Sequence, residues 1–147
     1  MRDWPGSSKF AHSISSHFMI NPFHPGDQKE YLTQVTDDKL ARFDSGLVHA
    51  LYSTFALGKD AEWACRLFVL EMKEPGEEGI GSYLSIEHLS PAPLGAEVRI
   101  VATLETVKGN EIDCSYEAFC GARCIAKGRQ IQRIINKEKF DKLVESL

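Results

Sequence analysis

Between Leu57 and Met72 the apolar residues take up a helical rhythm. Leu57, Ala61, Ala64, Cys65, Phe68 and Met72 fall at i, i+4, i+7, i+8, i+11 and i+15, the spacing that gathers one buried stripe on an α-helix. Ser53 or Thr54 can cap its start. Lys73-Glu74-Pro75-Gly76 ends it, because proline cannot continue the hydrogen-bond ladder and glycine permits a turn. The helix so defined runs for about five turns. A stripe of that length needs a broad apolar surface wrapped around it.

The rest of the chain supplies such a surface by alternation. Ile80, Ser82, Leu84, Ile86 and His88 alternate with Gly81, Tyr83, Ser85 and Glu87, and Val98, Ile100, Ala102 and Leu104 alternate with polar neighbours. After the turn at Lys108-Gly109-Asn110, Ile112, Cys114, Tyr116, Ala118 and Cys120 face one way, and a last strand follows Gly121 over Ala122 to Ile135. Short connections imply antiparallel meander pairing. Upstream, Gln28 to Thr36 has strand character, Asp37 to Leu51 reads as a loop or short helix, and residues 1–26, with Pro5, Pro22 and Pro25, read as an irregular lead-in. Asn136 can cap a final helix with Phe140, Leu143, Val144 and Leu147 on one face. Strand, long helix, then three or four long strands is an α+β order with one helix on one antiparallel sheet. A sheet curled round a single central helix is the hot-dog architecture, here expected as one domain over residues 27–147.

Composition narrows the partners. With 147 residues and a net charge of −4, the chain repels a phosphate backbone, so nucleic acid is not an expected partner. No apolar run reaches the ~20 residues that span a bilayer, and the first 20 residues mix charges with isolated apolar positions. The expectation is a cytoplasmic protein without a membrane partner. Cys65, Cys114, Cys120 and Cys124 form no C-x-x-C pair, so neither disulfides nor a metal site are expected.

Three polar residues stand where apolar ones would build the core. Glu62 lies between Ala61 and Trp63 in the helix, His88 continues the parity of Leu84 and Ile86, and Thr54 sits at the helix start. A buried carboxylate is costly unless paired, which a histidine would achieve. Equally, Glu62 on a helix flank pairs with Arg66 at i+4 and His88 is a satisfied core histidine. Parity alone leaves both open.

The segment Ser53-Thr54…Gly58…Glu62-Trp63-Ala64-Cys65, then Gly81-Ser82, then Glu87-His88…Pro91…Pro93…Gly95 resembles the hot-dog acyl-CoA thioesterases of the fluoroacetyl-CoA thioesterase type. The similarity runs from about residue 27 to Lys137-Glu138-Lys139-Phe140. That family has a catalytic triad of a threonine, a glutamate eight residues later and a histidine 26 residues beyond the glutamate, positions held here by Thr54, Glu62 and His88. The glycine seven residues before the histidine falls on Gly81. The resemblance implies hydrolysis of a small acyl-CoA, with coenzyme A as part of the substrate and no other cofactor, by a homodimer with sites at its seam. Glu62 then serves as nucleophile or as general base on water, His88 moves protons or orients water, and Thr54 positions the carboxylate or the carbonyl. The helix N-terminus offers free amides to the oxyanion.

The resemblance is incomplete. The fluoroacetyl-specific member has aromatic gating residues at the positions of Ser45 and Val48 and an arginine at that of Gln132, so fluoroacetyl specificity is expected to be absent and the acyl pocket more open near Ser45 and Val48. Arg123, Lys127, Arg129 and Arg133 share one parity on the last strand; they form either a phosphate-binding strip, with Arg129 its central member, or a solvated outer face. Two rival functions are a non-catalytic acyl-CoA binder and a hot-dog hydratase. The hydratase motif D-x-N-P-x-H is only partly matched by Asn21-Pro22-Phe23-His24, with Met19 in place of the Asp, and Asp44-x4-His49 lacks the intervening Asn-Pro.

Overall fold

The computed structural model describes residues 18–147. Its first strand is β1 (Gln28–Gln34). A 3-10 turn (Asp37–Lys39) leads to β2 (Leu40–Phe43) and β3 (Gly46–Tyr52). The stripe of residues 57–72 lies on α1 (Thr54–Met72), with Ser53 as N-cap, its Oγ accepting from the Ala56 amide at 3.1 Å. Gly76, at φ +85°, turns the chain into β4 (Glu77–Leu84) and the short β5 (Glu87–His88). Then come β6 (Glu97–Lys108), β7 (Glu111–Cys120), β8 (Arg123–Asn136) and α2 (Lys137–Glu145).

The large sheet has the order β1-β6-β7-β8-β4, with β5 also on β8, and its pairings are antiparallel. It wraps the apolar face of α1. Leu57, Ala61, Ala64, Cys65, Phe68 and Met72 are all at most 1% exposed, and they pack on the inward residues of β6, β7 and β8, among them Ile100, Leu104, Ile112, Tyr116 and Ile134. Burying each large side chain stabilises the fold by about 1.5–3 kcal/mol. This is the expected hot-dog architecture.

The segment from Asp37 to Leu51 is not simply a loop or short helix. After its 3-10 turn it forms the two-stranded β2–β3 hairpin, joined to the rest by a bridge from Leu51 to Pro93. The hairpin leaves Phe43, Leu47 and Val48 exposed, so it lacks the strict alternation by which a strand announces itself.

A second departure sets the site. The expected strand from Ile80 to His88 is interrupted. Gly81 lies opposite Gln132 and Tyr83 opposite Ile131, so Ser82 is an extra residue, and such a bulge flips side-chain parity. Before it Gly79 and Gly81, not Ile80, face α1; after it Leu84 and Ile86 reach Gly58. The strand pauses at Ser85, whose carbonyl accepts from the Tyr116 hydroxyl at 2.7 Å and whose Oγ accepts from the Arg129 amide at 2.9 Å. A β-carbon on Gly128 would collide with that Ser85 carbonyl.

Of the expected lead-in, residues 1–17 lie outside the described residues. Residues 18–27 carry neither helix nor strand, yet they dock: Phe23 packs edge-on against Phe68 at 5.0 Å between ring centres, and the Met19 amide donates to the Glu77 carboxylate. At the other end Asn136 caps α2, Oδ1 accepting from the Lys139 amide at 2.9 Å, but the apolar face of that helix remains in solvent, with Leu143 and Val144 exposed.

Candidate active site

Thr54 is the first residue of α1, and two main-chain bonds hold the chain's entry there: the Tyr52 amide donates to the Ala92 carbonyl (2.8 Å) and the Ser53 amide to the Lys39 carbonyl (2.9 Å). His88 is presented by β5, itself held on β8 opposite Ala126. The bulge at Ser82 and the pause at Ser85 bring it to the helix start. There Thr54 Oγ1 and His88 Nδ1 share a hydrogen bond of 2.9 Å. His88 Nε2 is buried and has no partner among the described residues. Burial pushes the imidazole pKa down, only partly offset by a main-chain hydrogen bond at Ser90, so the ring is neutral at pH 7. The pair borders an open cleft of about 360 Å³ with His49, Leu51, Leu89 and Pro91. The Thr54 and Phe55 amides of the first turn lie outside the helical ladder.

Glu62 is elsewhere. Eight residues along α1 from Thr54, it stands about 12 Å further down the axis. It is half-buried; the alternative partner Arg66 is instead bound to Glu78 and, at 3.2 Å, to the Gly79 carbonyl. Its Oε1 accepts from Gln130 Nε2 at 2.9 Å, and a β-carbon on Gly81 would collide with that oxygen. Glu62 opens onto a second groove of about 480 Å³, bordered also by Tyr31, Lys59, Trp63, Arg66 and Gly81. Within one chain, therefore, Thr54 meets His88, Glu62 meets Gly81, and the two pairs lie apart.

Other expected positions distribute as follows. Ser45 is at the exposed tip of the β2–β3 hairpin and Val48 is exposed on β3; the hairpin gives His49 and Leu51, not these two, to the Thr54–His88 cleft. Arg129 lies on the outer sheet face, bound to Asp113. Its neighbours in the basic strip are engaged as well: Arg123 with Ser90 and the Pro91 carbonyl, Lys127 with Glu87 at 3.6 Å, and Arg133 with Glu111 at 3.0 Å. In Asn21–His24, Asn21 Oδ1 accepts from the Phe23 amide and the His24 amide donates to Asp27, the bonds of a turn. Tyr116 is buried in the core and Tyr83 is exposed.

Two polar groups escaped the sequence reading. Asp60 is buried, accepting from the Tyr52 hydroxyl (2.5 Å) and Lys39 Nζ (3.0 Å); its neighbours in sequence give no sign of either partner. Gln130 touches Glu62, and its only signal is an amide on the inward parity of β8. Among the described residues no three His, Cys, Asp or Glu side chains converge on a metal-sized site, and no helix is long and apolar enough to cross a membrane.

A family profile described as fluoroacetyl-CoA-specific thioesterase matches residues 35–138. The chain belongs to this family. Its members' class is that of thioester hydrolases, and the matched span takes in Thr54, Glu62, His88 and Gly81. The fluoroacetyl-CoA thioesterase of Streptantibioticus cattleyicolor is 31% identical over 80 residues, 54% of this chain. That match spans only 58% of the relative's length. A Thermus thermophilus member of the thioesterase superfamily is 36% identical, with a TM-score of 0.82 over 86% of this chain and 94% of its own. A fluoroacetyl-CoA thioesterase variant solved with acetyl-CoA superposes with a TM-score of 0.78 over 84% of this chain and 98% of its own, at 23% identity, a likeness of fold.

Proposed function

We propose that this protein hydrolyses a small acyl-CoA thioester to the free acid and coenzyme A, using Thr54, Glu62 and His88, as a cytoplasmic homodimer, with no cofactor and without fluoroacetyl selectivity. The observation that carries it is the Thr54–His88 hydrogen bond at the start of α1, in a chain of a thioesterase family. The thioester carbonyl sits at the helix N-terminus, where free amides stabilise the oxyanion. Glu62 delivers the nucleophile, as a base on water or by direct attack. In the water route a C–O bond forms as the C–S bond breaks, and the water proton passes through Glu62 and His88 to the departing thiolate.

Glu62 stands two helical turns from Thr54, so a second copy is needed to close the triad. The other side of β4 supports this: among the described residues β4 pairs only with β8, and Tyr83 and Leu84 are exposed on it. Edge pairing of two such strands brings one copy's Glu62 toward the other's Thr54 and His88. The acyl group lies near the β2–β3 hairpin, whose His49 and Leu51 border the cleft while Ser45 and Val48 stay clear of it and leave the pocket open. Coenzyme A phosphates then approach the groove at Lys59, since Arg66 and Arg129 are both bound to carboxylates.

The in-chain separation of Glu62 from His88 favours one second reading, a monomeric binder of acyl-CoA. Thiol release decides between them, from a panel of acetyl-, propionyl-, butyryl-, fluoroacetyl- and an aromatic acyl-CoA beside Glu62→Ala. Hydrolysis that falls by orders of magnitude in the variant, with fluoroacetyl-CoA turned over no faster than acetyl-CoA, is expected. Saturable binding without thiol release would sink the enzyme reading.

A further inference from the structure

Gln130 and Gln132 on β8 are 1% and 2% exposed and point toward α1 from a face that is otherwise apolar. Burying two amides is unfavourable unless their polar atoms are matched, and an apolar pair of the same size would serve the core as well. Their bonds run in one direction. Gln132 Nε2 donates to Gln130 Oε1 at 2.9 Å, and Gln130 Nε2 donates to Glu62 Oε1 at 2.9 Å and more weakly to the Ile131 carbonyl at 3.3 Å. Gln132 Nε2 also lies 3.5 Å from the Glu62 carbonyl. Because Gln132 occupies the carbonyl end of the Gln130 amide, only its NH2 end can face Glu62. The neighbouring strand β4 is lean here: a β-carbon at Gly79 would crowd Gln132 Oε1 at 3.1 Å, and one at Gly81 would collide with Glu62 Oε1.

We propose that Gln130 is a positioning residue that fixes the Glu62 carboxylate by its Oε1 and leaves Oε2 open for the reaction, while Gln132 sets the orientation of the Gln130 amide. Oε2 has no hydrogen-bond partner among the described residues. A neutral donor orients the carboxylate without pairing off its charge. The inference rests on the proposed role of Glu62 in thioester hydrolysis.

The test is steady-state thiol release by Gln130→Met, Gln132→Met, Glu62→Gln and the double variant Glu62→Gln/Gln130→Met, with the acyl-CoA that the panel identifies and thermal midpoints in parallel. Gln130→Met keeps size and loses the donor. It is expected to lower kcat by about 30-fold or more with KM within about three-fold, and to add no further loss in the Glu62→Gln background. Gln130→His, which retains an N–H, should recover part of kcat. A Gln130→Met enzyme within about three-fold of the parent overturns the inference, as does an equal loss in both backgrounds, which would mark a role in folding alone. Should Gln130→Met not fold, Gln132→Met carries the test: an amide free to flip should lower kcat by about 3–10-fold, and unchanged kcat overturns the relay. Full turnover by Glu62→Gln alone would remove the reading of Glu62 itself, and the inference with it, a failure visible in that single variant.

Discussion

The α-carbon of Gly81 on β4 faces the carboxylate of Glu62 on α1 so closely that a β-carbon would collide with Oε1. The contact exists because Gly81 precedes the Ser82 bulge and so faces inward, and because Gln130 draws Oε1 to that spot. Gly81→Ala should therefore turn the carboxylate away from Gln130 and lower kcat about 10–100-fold. The backbone at Gly81 has no positive φ, so the thermal midpoint should stay within a few degrees. Thiol release and a thermal scan on the same sample check both; unchanged kcat would mean that the position of Glu62 is immaterial.

At the helix start a hydrogen bond between Thr54 Oγ1 and His88 Nδ1 joins two residues of the proposed triad. Thr54→Val keeps the shape and removes the bond, and should lower kcat/KM by about 10–100-fold. Thr54→Ser, which keeps the hydroxyl, should stay within about ten-fold of the parent. Equal activity of the valine and serine variants would exclude a role for the hydroxyl.

If each site joins one copy's Glu62 to another's Thr54 and His88, two inactive variants should complement. Mixing Glu62→Ala with His88→Ala under conditions of subunit exchange should restore about a quarter of the parental rate, because half of the dimers are mixed and each holds one intact site. No recovery from a demonstrably mixed dimer would place the site within one chain.

Burial depresses the His88 pKa below its unfolded value of 6.5. Below pH 6.5 the unfolded chain then binds more protons than the folded one, so this group makes stability fall as pH drops from about 6.5 toward the folded pKa, and contributes no slope above it. His88→Gln should flatten the urea midpoint in that acidic window relative to the parent. The two curves should run parallel from pH 7 to 8.

Leu57 is fully buried beneath the start of α1. Leu57→Ala should destabilise the fold by about 2–5 kcal/mol, read from urea unfolding. A loss below about 1 kcal/mol would mean that the sheet closes over the gap.

Much of this architecture was legible locally. The period of Leu57 to Met72 and the alternation of Val98 to Leu104 and Ile112 to Ala118 each depend on residues a few positions apart, and burial follows them residue by residue. The β2–β3 hairpin was not legible, because exposed Phe43, Leu47 and Val48 leave no inward parity to detect. Gly81, Thr54, Glu62 and His88 stood out by spacing against a family pattern, and that pattern carried no distances.

By itself, then, the order of residues determined one buried helix and a meander of inward-alternating strands, since helix and strand periods are set by neighbouring side chains choosing one apolar face. What surrounds Glu62 was decided only in three dimensions. The extra residue at Ser82 flips β4 by one position, and the register of β8 places Gln130 beside Glu62 although 68 residues separate them in the chain. A one-residue slip in either pairing would turn Gly81 or Gln130 to the opposite face. Register is the balance of many backbone bonds and packed side chains across distant segments, and no local period encodes it.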